Sequence, residues 1–371
     1  MNKKTIVISA VNFSARVGGA YSVLRECLEY LSGSSLTEKY RIVIIAGSKD
    51  VCPYKDIECL EFPKSKKQWI YRMYYEYVYF RKLSKQFNPY LWLSLHDMTP
   101  NVIAERQAVY MHNTSVFYSW KWKDFSLDRK VFLFAIFYKY IYHINIHRNR
   151  FLIVQQDWIR KEFSRMFNVS KKKIIVAYPT NKTLNMKVKS VKTDDICRFF
   201  YPSVPRIFKN FEVICEAVKI LNSMNVNNFE VTLTLNGQMT DRYSKMIFHK
   251  YSDVKHINFV GLLLQEEVFE QYSKTDCLIF PSKSETWGLP ISEFAKYEKP
   301  MLLADLAYAH TAATGCDKVS FFAIDDSPGL ANKMLKIISG DLSALKAVPQ
   351  QSTEQPFTQS WEELFDVLLN N

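Results

Sequence analysis

The chain has 371 residues, 48% hydrophobic and 23% charged, with 49 Lys and Arg against 37 Asp and Glu. That length exceeds one typical core and predicts two domains, and that balance excludes a disordered chain. The net charge of +12 favours an acidic partner, whether nucleic acid, anionic headgroups or a phosphorylated small molecule, without choosing among them. Seven cysteines (27, 52, 59, 197, 215, 277 and 316) show no Cys-x-x-Cys spacing. They argue against a disulfide framework or a zinc site and for a reducing compartment.

The start, Met1 to Val11, resembles a short secretory leader. Polar residues at Asn12, Ser14 and Arg16 follow at once, so it reads better as a first buried strand. Further strands are predicted at Arg41–Ala46, Leu91–Leu95, Ala108–Met111, Phe151–Val154 and Lys173–Tyr178. Helical patterns lie between them at Ala20–Leu31, Trp69–Phe87, Arg129–His147 and Trp158–Phe167. The longest apolar stretch, Val131 to Tyr138, falls far short of the ~20 residues a spanning helix needs. A Lys-rich stretch without apolar period, Pro179 to Asp195, reads as a linker.

The rhythm resumes with strand Ile196–Tyr201 and a helix faced by Phe211, Ile214, Cys215, Val218 and Leu221. Then follow strands Glu230–Leu235 and Ile257–Val260, helix Gln265–Lys274, strand Cys277–Phe280, helix Pro290–Tyr297 and strand Met301–Ala304. Residues Ser343 to Glu354 read as loop, and a closing helix is expected within 360–371. Short apolar strands alternating with helices predict an α/β chain of two doubly wound, Rossmann-like parallel sheets facing across a cleft. The expected domains are 1–190, on which the closing helix can pack back, and 191–350.

Ligands of such sheets bind beyond the carboxyl ends of the strands, and the chemically suggestive residues fall there. Pro281-Ser282-Lys283-Ser284-Glu285-Thr286-Trp287-Gly288-Leu289-Pro290-Ile291-Ser292-Glu293 sets two carboxylates eight positions apart around a strand-to-helix turn. Pro290 suits a first helical position. The amides of Trp287, Gly288 and Leu289 then stand at a helix start, where phosphate is favoured. Carboxylates repel phosphate, so Glu285 and Glu293 are better suited to the neutral hydroxyls of a sugar and a ribose.

Arg206 and Lys209, in Pro205-Arg206-Ile207-Phe208-Lys209-Asn210, can neutralise a diphosphate at another such junction, or stand as solvated surface charge. Gly18-Gly19 reads equally as a binding loop or a structural turn. No G-x-G-x-x-G and no P-loop occurs, which counts against a dinucleotide enzyme and an ATPase. His112, at a strand's carboxyl end, reads equally as functional or structural, and His96 with Asp97 is a weaker candidate of the same kind. The aromatic and basic stretches Trp69 to Lys82 and Phe137 to Arg148 suit a membrane surface or helices packing on the sheet. Neither carries a nucleic-acid-binding pattern.

The block from Phe200 to Asp326 resembles the nucleotide-sugar-binding half of GT-B glycosyltransferases, family 4 in particular. The resemblance is carried by Glu285 and Glu293 as its E-x7-E motif, and by Phe280-Pro281-Ser282, Asn258-Phe259-Val260-Gly261, Tyr201-Pro202-Ser203 and Lys209-Asn210. The first half matches more loosely, through Gly18-Gly19, His112 and Val154-Gln155-Gln156-Asp157.

The resemblance implies transfer of a sugar from a nucleotide donor to an acceptor hydroxyl with retained configuration. Glu285 and His112 would act at the donor sugar and Glu293 at the ribose. Arg206, Lys209 and the turn from Thr286 to Leu289 would hold the diphosphate, and backbone at Leu262 would meet the base. Ser203 stands near the position where the family commonly has Arg, and Arg206 lies three residues before Lys209.

The expected co-substrate is a nucleotide-diphosphate sugar with no further cofactor. Asp-x-Asp is absent, which suits a metal-independent site. The expected partners are a glycan or lipid-linked acceptor and an anionic membrane surface, with no nucleic acid, at a cytoplasmic or inner-face location. Surface polysaccharide or glycolipid assembly is the expected setting. A sugar-nucleotide epimerase of the same fold, or a non-catalytic scaffold or nucleic-acid-binding protein, are the alternatives.

Overall fold

The computed structural model describes residues 3–13, 19–66, 68–118, 120–179 and 194–370. Gly18 and most of the expected linker, residues 180–193, lie outside them. The chain divides into two compact units. One comprises Met1–Val116, Ile136–Thr180 and Thr353–Asn371, and the other Phe117–Ala135 with Asn181–Ser352.

The first unit is built on a parallel sheet of β1 (Lys4–Ala10), β2 (Tyr40–Ala46), β3 (Glu58–Glu61), β4 (Pro89–Ser94), β5 (Arg106–Tyr110), β6 (Phe151–Val154) and β7 (Ile174–Ala177). A short strand, Phe357–Thr358, pairs with β7 at the edge, and the order inward from it is β7-β6-β5-β4-β1-β2-β3. Alternating side chains serve the two faces. Ile6, Ile8, Ile42 and Ile44 pack with Val23, Leu24, Cys27, Leu28 and Leu31 of helix Gly19–Ser32 and with closing helix Trp361–Asn370. Val7, Val43, Ile45 and Trp92 pack on the other face with Phe80 and Leu83. Burial of both faces is why these strands read as unbroken apolar runs. Each such side chain contributes about 1.5–3 kcal/mol by leaving water.

The second unit repeats the architecture with β8 (Cys197–Tyr201), β9 (Phe229–Leu233), β10 (Ile257–Phe259), β11 (Cys277–Phe280), β12 (Met301–Ala304) and β13 (Val319–Phe322). Their order is β10-β9-β8-β11-β12-β13, and each recorded pairing is parallel. The chain runs outward from β8, then returns to start the other half at β11. The switch point therefore lies between β8 and β11, and in the first sheet between β1 and β4. In open sheets of this kind, ligands are expected at such a point, beyond the strand ends.

Most predicted elements appear within a few residues of their expected bounds. The reading missed β3, β13, the short strand Phe357–Thr358 and helices Leu36–Lys39, Trp122–Leu127, Arg242–Tyr251, Ala307–Ala312 and Ser327–Ile338. The Trp69–Phe87 pattern is not one regular helix. It runs as Trp69–Tyr74, a π turn at Tyr75–Tyr79, then Phe80–Phe87. The wider turn carries Glu76, fully buried, beside His96 at 3.2 Å.

Burial pushes the Glu76 carboxyl up to about 8, partly opposed by Arg72, and burial pushes the His96 imidazole down. A neutral acid thus faces a neutral ring at pH 7. Between the ordinary values of 4.5 and 6.5 the two groups oppose each other. As pH rises there, the unfolded chain gains by ionising Glu76 but loses the advantage of binding a proton at His96, which the folded chain leaves neutral. Between 6.5 and about 8 only Glu76 titrates differently, so folding stability should fall with rising pH. Glu76→Gln should flatten that limb. Urea melts of both proteins across this window check it, and an equal slope in the variant would refute the assignment.

Candidate functional site

In the second unit the switch point is lined by the loop after β8 and the loop after β11, and backbone and side-chain bonds join the two. Lys283 N donates to Phe208 O at 2.7 Å, and Ser282 Oγ donates to the same carbonyl at 3.3 Å. Asn210, buried and left-handed at φ 58°, donates through Nδ2 to Pro281 O and Ile324 O at 3.3 and 2.7 Å. Asn tolerates that conformation better than most residues. Tyr201, at the end of β8, donates its hydroxyl to Lys209 O at 2.8 Å, and Tyr308 donates to Ser282 O at 2.6 Å. Burial, reinforced by the Glu285 carboxylate, holds both phenols well above their ordinary range, so they stay neutral donors.

This frame brings Lys209 and Glu285 together. Nζ lies 2.5 Å from Oε1, with the side chains 17% and 14% exposed. Both charges are thus held where solvent screens them only in part. Beyond Glu285 the chain turns at Gly288, whose φ of 90° favours glycine. A Cβ there would stand 3.2 Å from Ile291 Cδ1 and 3.3 Å from Tyr308 Cδ2. Helix Leu289–Phe294 follows, with Pro290 in its first turn, and continues as a 3-10 turn over Ala295–Tyr297. Its first backbone bond is Ile291 N to Gly288 O at 2.9 Å, so the Gly288 and Leu289 amides precede the bonded ladder.

The remaining expected residues take distinct places. Trp287 is buried, and its indole N–H donates to Ser292 Oγ at 3.0 Å, securing the turn. Thr286 is partly buried between it and Glu285. Glu293 is also partly buried and accepts from Tyr272 Oη at 3.0 Å, and burial raises its pKa above the ordinary value. Neither carboxylate is turned into bulk solvent. Arg206 is exposed and donates to Pro205 O at 3.2 Å, with no side-chain contact to Lys209 or Glu285. Leu262 is exposed after Gly261, whose φ is 83° and whose amide donates to Leu235 O at 3.1 Å.

In the first unit, Gly19 begins helix Gly19–Ser32. His112 follows β5, its ring stacked on Tyr110 at 4.6 Å and edge-on to Phe13 at 6.1 Å. Its Nε2 is buried without a hydrogen bond, and burial lowers its pKa, leaving a neutral ring. Asp97, left-handed at φ 65°, accepts from the amides of His112 and Asn113 at 2.5 and 3.0 Å and from Tyr142 Oη at 3.2 Å. His96 does not join them. Its ring turns to Ser9 Oγ, 2.9 Å away, and to Glu76.

Sequence reasoning gave Tyr201, Asn210, Tyr272 and Tyr308 no role. The available signals were Asn210 just before a helix and Tyr201 in the Tyr201-Pro202-Ser203 stretch; Tyr272 and Tyr308 carried none.

Two parallel Rossmann-like sheets with these switch points define a GT-B fold, and solved structures agree. The chain is similar to WaaG, a glycosyltransferase involved in lipopolysaccharide biosynthesis, at 13% identity and TM-score 0.62, covering 99% of this chain and 100% of that one. It is similar to Anabaena Alr3699/HepE in complex with UDP-glucose, at 12% identity and TM-score 0.62, covering 92% of each chain. It is also similar to the lipopolysaccharide outer core galactosyltransferase WaaB, at 13% identity and TM-score 0.60, covering 94% and 92%. No curated protein matches the chain in sequence. Residues 199–340, within the second unit, match the family described as Glycosyl transferases group 1.

Proposed function

We propose that the protein moves a glycosyl group from a nucleoside-diphosphate sugar to an acceptor hydroxyl, with retention at the anomeric carbon. The observation that supports this most is the Lys209–Glu285 pair at the β8/β11 switch point, beside the Gly288 turn. The diphosphate would draw Lys209 from Glu285 and meet the amides of the turn, freeing the carboxylate for the sugar. As the anomeric carbon–oxygen bond breaks, negative charge grows on the β-phosphate, and Lys209 with those amides stabilises it. The acceptor oxygen bonds to the same face of the carbon, and its proton passes to the departing phosphate oxygen. Lys209 supplies the charge that a metal would otherwise provide.

Glu293 takes the ribose, and backbone at Leu262 meets the base. Arg206 joins the donor contacts in this reading.

Mixing the protein with UDP-, GDP-, ADP- and CMP-sugars and recording thermal shifts identifies the donor, because a ligand of the native state raises its stability. The product's anomeric coupling then reads the stereochemistry. Failure of every nucleotide to bind would overturn the proposal, and conversion of donor to an epimer without acceptor would replace it.

A lipid-linked or glycan acceptor at an anionic membrane, in surface polysaccharide or glycolipid assembly, fits one further feature. Helix Trp69–Tyr74 and helix Arg129–His143 are tied by an Arg72–Tyr138 hydrogen bond. They expose Ile70 (71%), Tyr74 (49%), Phe137 (58%) and Tyr140 (65%). Rings at an interface with Lys and Arg nearby favour a headgroup layer. No helix among the described residues is long and apolar enough to cross a membrane. The protein should sediment with anionic vesicles at low salt, and Ile70→Ser with Tyr140→Ser should weaken that roughly 10-fold. Protein that stays in the supernatant would remove the membrane from the proposal.

A further inference from the structure

The first unit holds a cavity of about 600 Å³ that the proposed chemistry does not use. It is lined by Val102 to Gln107, His147 to Phe151, and Lys173. Arg106 opens β5, Arg150 immediately precedes β6, and Lys173 immediately precedes β7. The cavity therefore lies at the amino ends of these strands. His96 and His112 follow the carboxyl ends of β4 and β5, on the order of 15 Å away at the rise of a strand.

Its charge is unbalanced, and its cations are held by neutral partners. Arg148 donates to Asn101 Oδ1 at 2.5 Å and to Val102 O at 2.7 Å. Arg106 donates to Leu368 O at 3.1 Å and lies 4.8 Å from the centre of the Tyr90 ring. Arg150 is exposed, its guanidinium 6.0 Å from the centre of the Phe151 ring, while its amide is fixed on Gln107 O at 2.8 Å. Beneath them Asn149 is buried, bonded through Nδ2 to Thr99 Oγ1 at 2.7 Å and Ile146 O at 3.0 Å.

Against Arg106, Arg148, Arg150 and Lys173 the lining offers one carboxylate, Glu105, which already stands 4.0 Å from Lys4. Guanidinium groups oriented by carbonyls keep their charge and their forked geometry, which match the oxygens of a phosphate. Exposed Lys171 and Lys172 extend the positive field along this edge.

We propose that this cavity is a second anion site, taking a phosphate group, with Arg150 and Lys173 as contacts and Arg106 and Arg148 as the fixed wall. The phosphate can be free or carried by a lipid. Position favours the lipid source, because the turn Ile146–Arg148 comes two residues after the helix that exposes Phe137 and Tyr140. The site does not depend on sugar transfer.

Calorimetric titration with pyrophosphate tests it, using Lys209→Ala protein so that the donor loops do not contribute, at ionic strength matched with chloride. A saturable site is expected. Adding Arg150→Ala and Lys173→Ala should weaken it roughly 10-fold or more, since two charge-assisted hydrogen bonds are removed. The same pair in the otherwise native protein should leave nucleotide-sugar binding unchanged, which separates this site from the donor site.

Flotation with phosphatidylcholine vesicles, with and without phosphatidic acid, reads the lipid source. Binding that needs phosphatidic acid and the two cations marks a headgroup site, and pyrophosphate binding alone marks a soluble ligand. Absence of saturable binding in both arms, or unchanged binding by the double variant, would overturn the proposal.

Discussion

Lys209→Ala should lower kcat roughly 10²–10³-fold, the usual consequence of removing one fixed group that stabilises developing negative charge. Two things change together. The departing diphosphate loses the cation aimed at it, and Glu285, only 14% exposed, loses the partner 2.5 Å from its carboxylate. A rise in KM for the donor should accompany the fall in kcat, because the ground-state diphosphate also meets this cation. Fold should survive, since Phe208 and Asn210 hold the loop through Lys283 N, Pro281 O and Ile324 O, none of which involves the Lys209 side chain. Steady-state kinetics beside a thermal melt check this. A variant with wild-type kcat would remove Lys209 from the mechanism.

Glu285→Gln should cost at least as much, on the order of 10³-fold in kcat, while leaving donor affinity within a few-fold. The amide keeps the shape and one acceptor oxygen but not the negative charge that favours an oxocarbenium-like carbon. Without that charge, Lys209 is released from its ion pair, so the nucleoside diphosphate product should bind more tightly than to the native protein. That opposite movement of product affinity and kcat distinguishes loss of a charge at the reacting centre from general damage. Single-turnover transfer and titration with the diphosphate product measure the two sides. Equal transfer by the Gln variant would show that the carboxylate acts only as an acceptor of hydrogen bonds, and the reading of Glu285 would fail.

The two variants also report on each other. Residues in contact do not contribute additively, so the double variant should lose less than the product of the single losses. Additive losses would mean that the contact between them plays no part in the reaction.

The parts of the fold legible in the sequence were those with a strong local period. Cys277–Phe280, Met301–Ala304 and Phe151–Val154 were found to the residue because buried parallel strands are short apolar runs ended by polar turns. Helix Gln265–Lys274 was equally clear. β3, with sequence Glu-Cys-Leu-Glu, escaped because it is an edge strand, partly solvated and charged at both ends. Helix Arg242–Tyr251 escaped although Tyr243, Ile247 and Tyr251 recur at every fourth position, because two of the three are tyrosines set among Arg, Lys and His; an Asp241 cap to Ser244 N at 2.9 Å begins it. The π turn at Tyr75–Tyr79 had no local signature; it coincides with the burial of Glu76 beside His96.

The sequence by itself determined the alternation of strand and helix, and it set Glu285, Gly288 and Lys209 on loops after strands. Those properties follow from local periodicity and from which residues tolerate a tight turn. Strand order was decided only by tertiary structure, because pairing between β8 and β11 joins segments about eighty residues apart. With it came the Lys209–Glu285 contact, the tyrosine and Asn210 supports beneath it, and the convergence of Arg106, Arg148, Arg150 and Lys173 on one cavity. Such contacts depend on how distant segments pack, and no spacing along the chain encodes that distance.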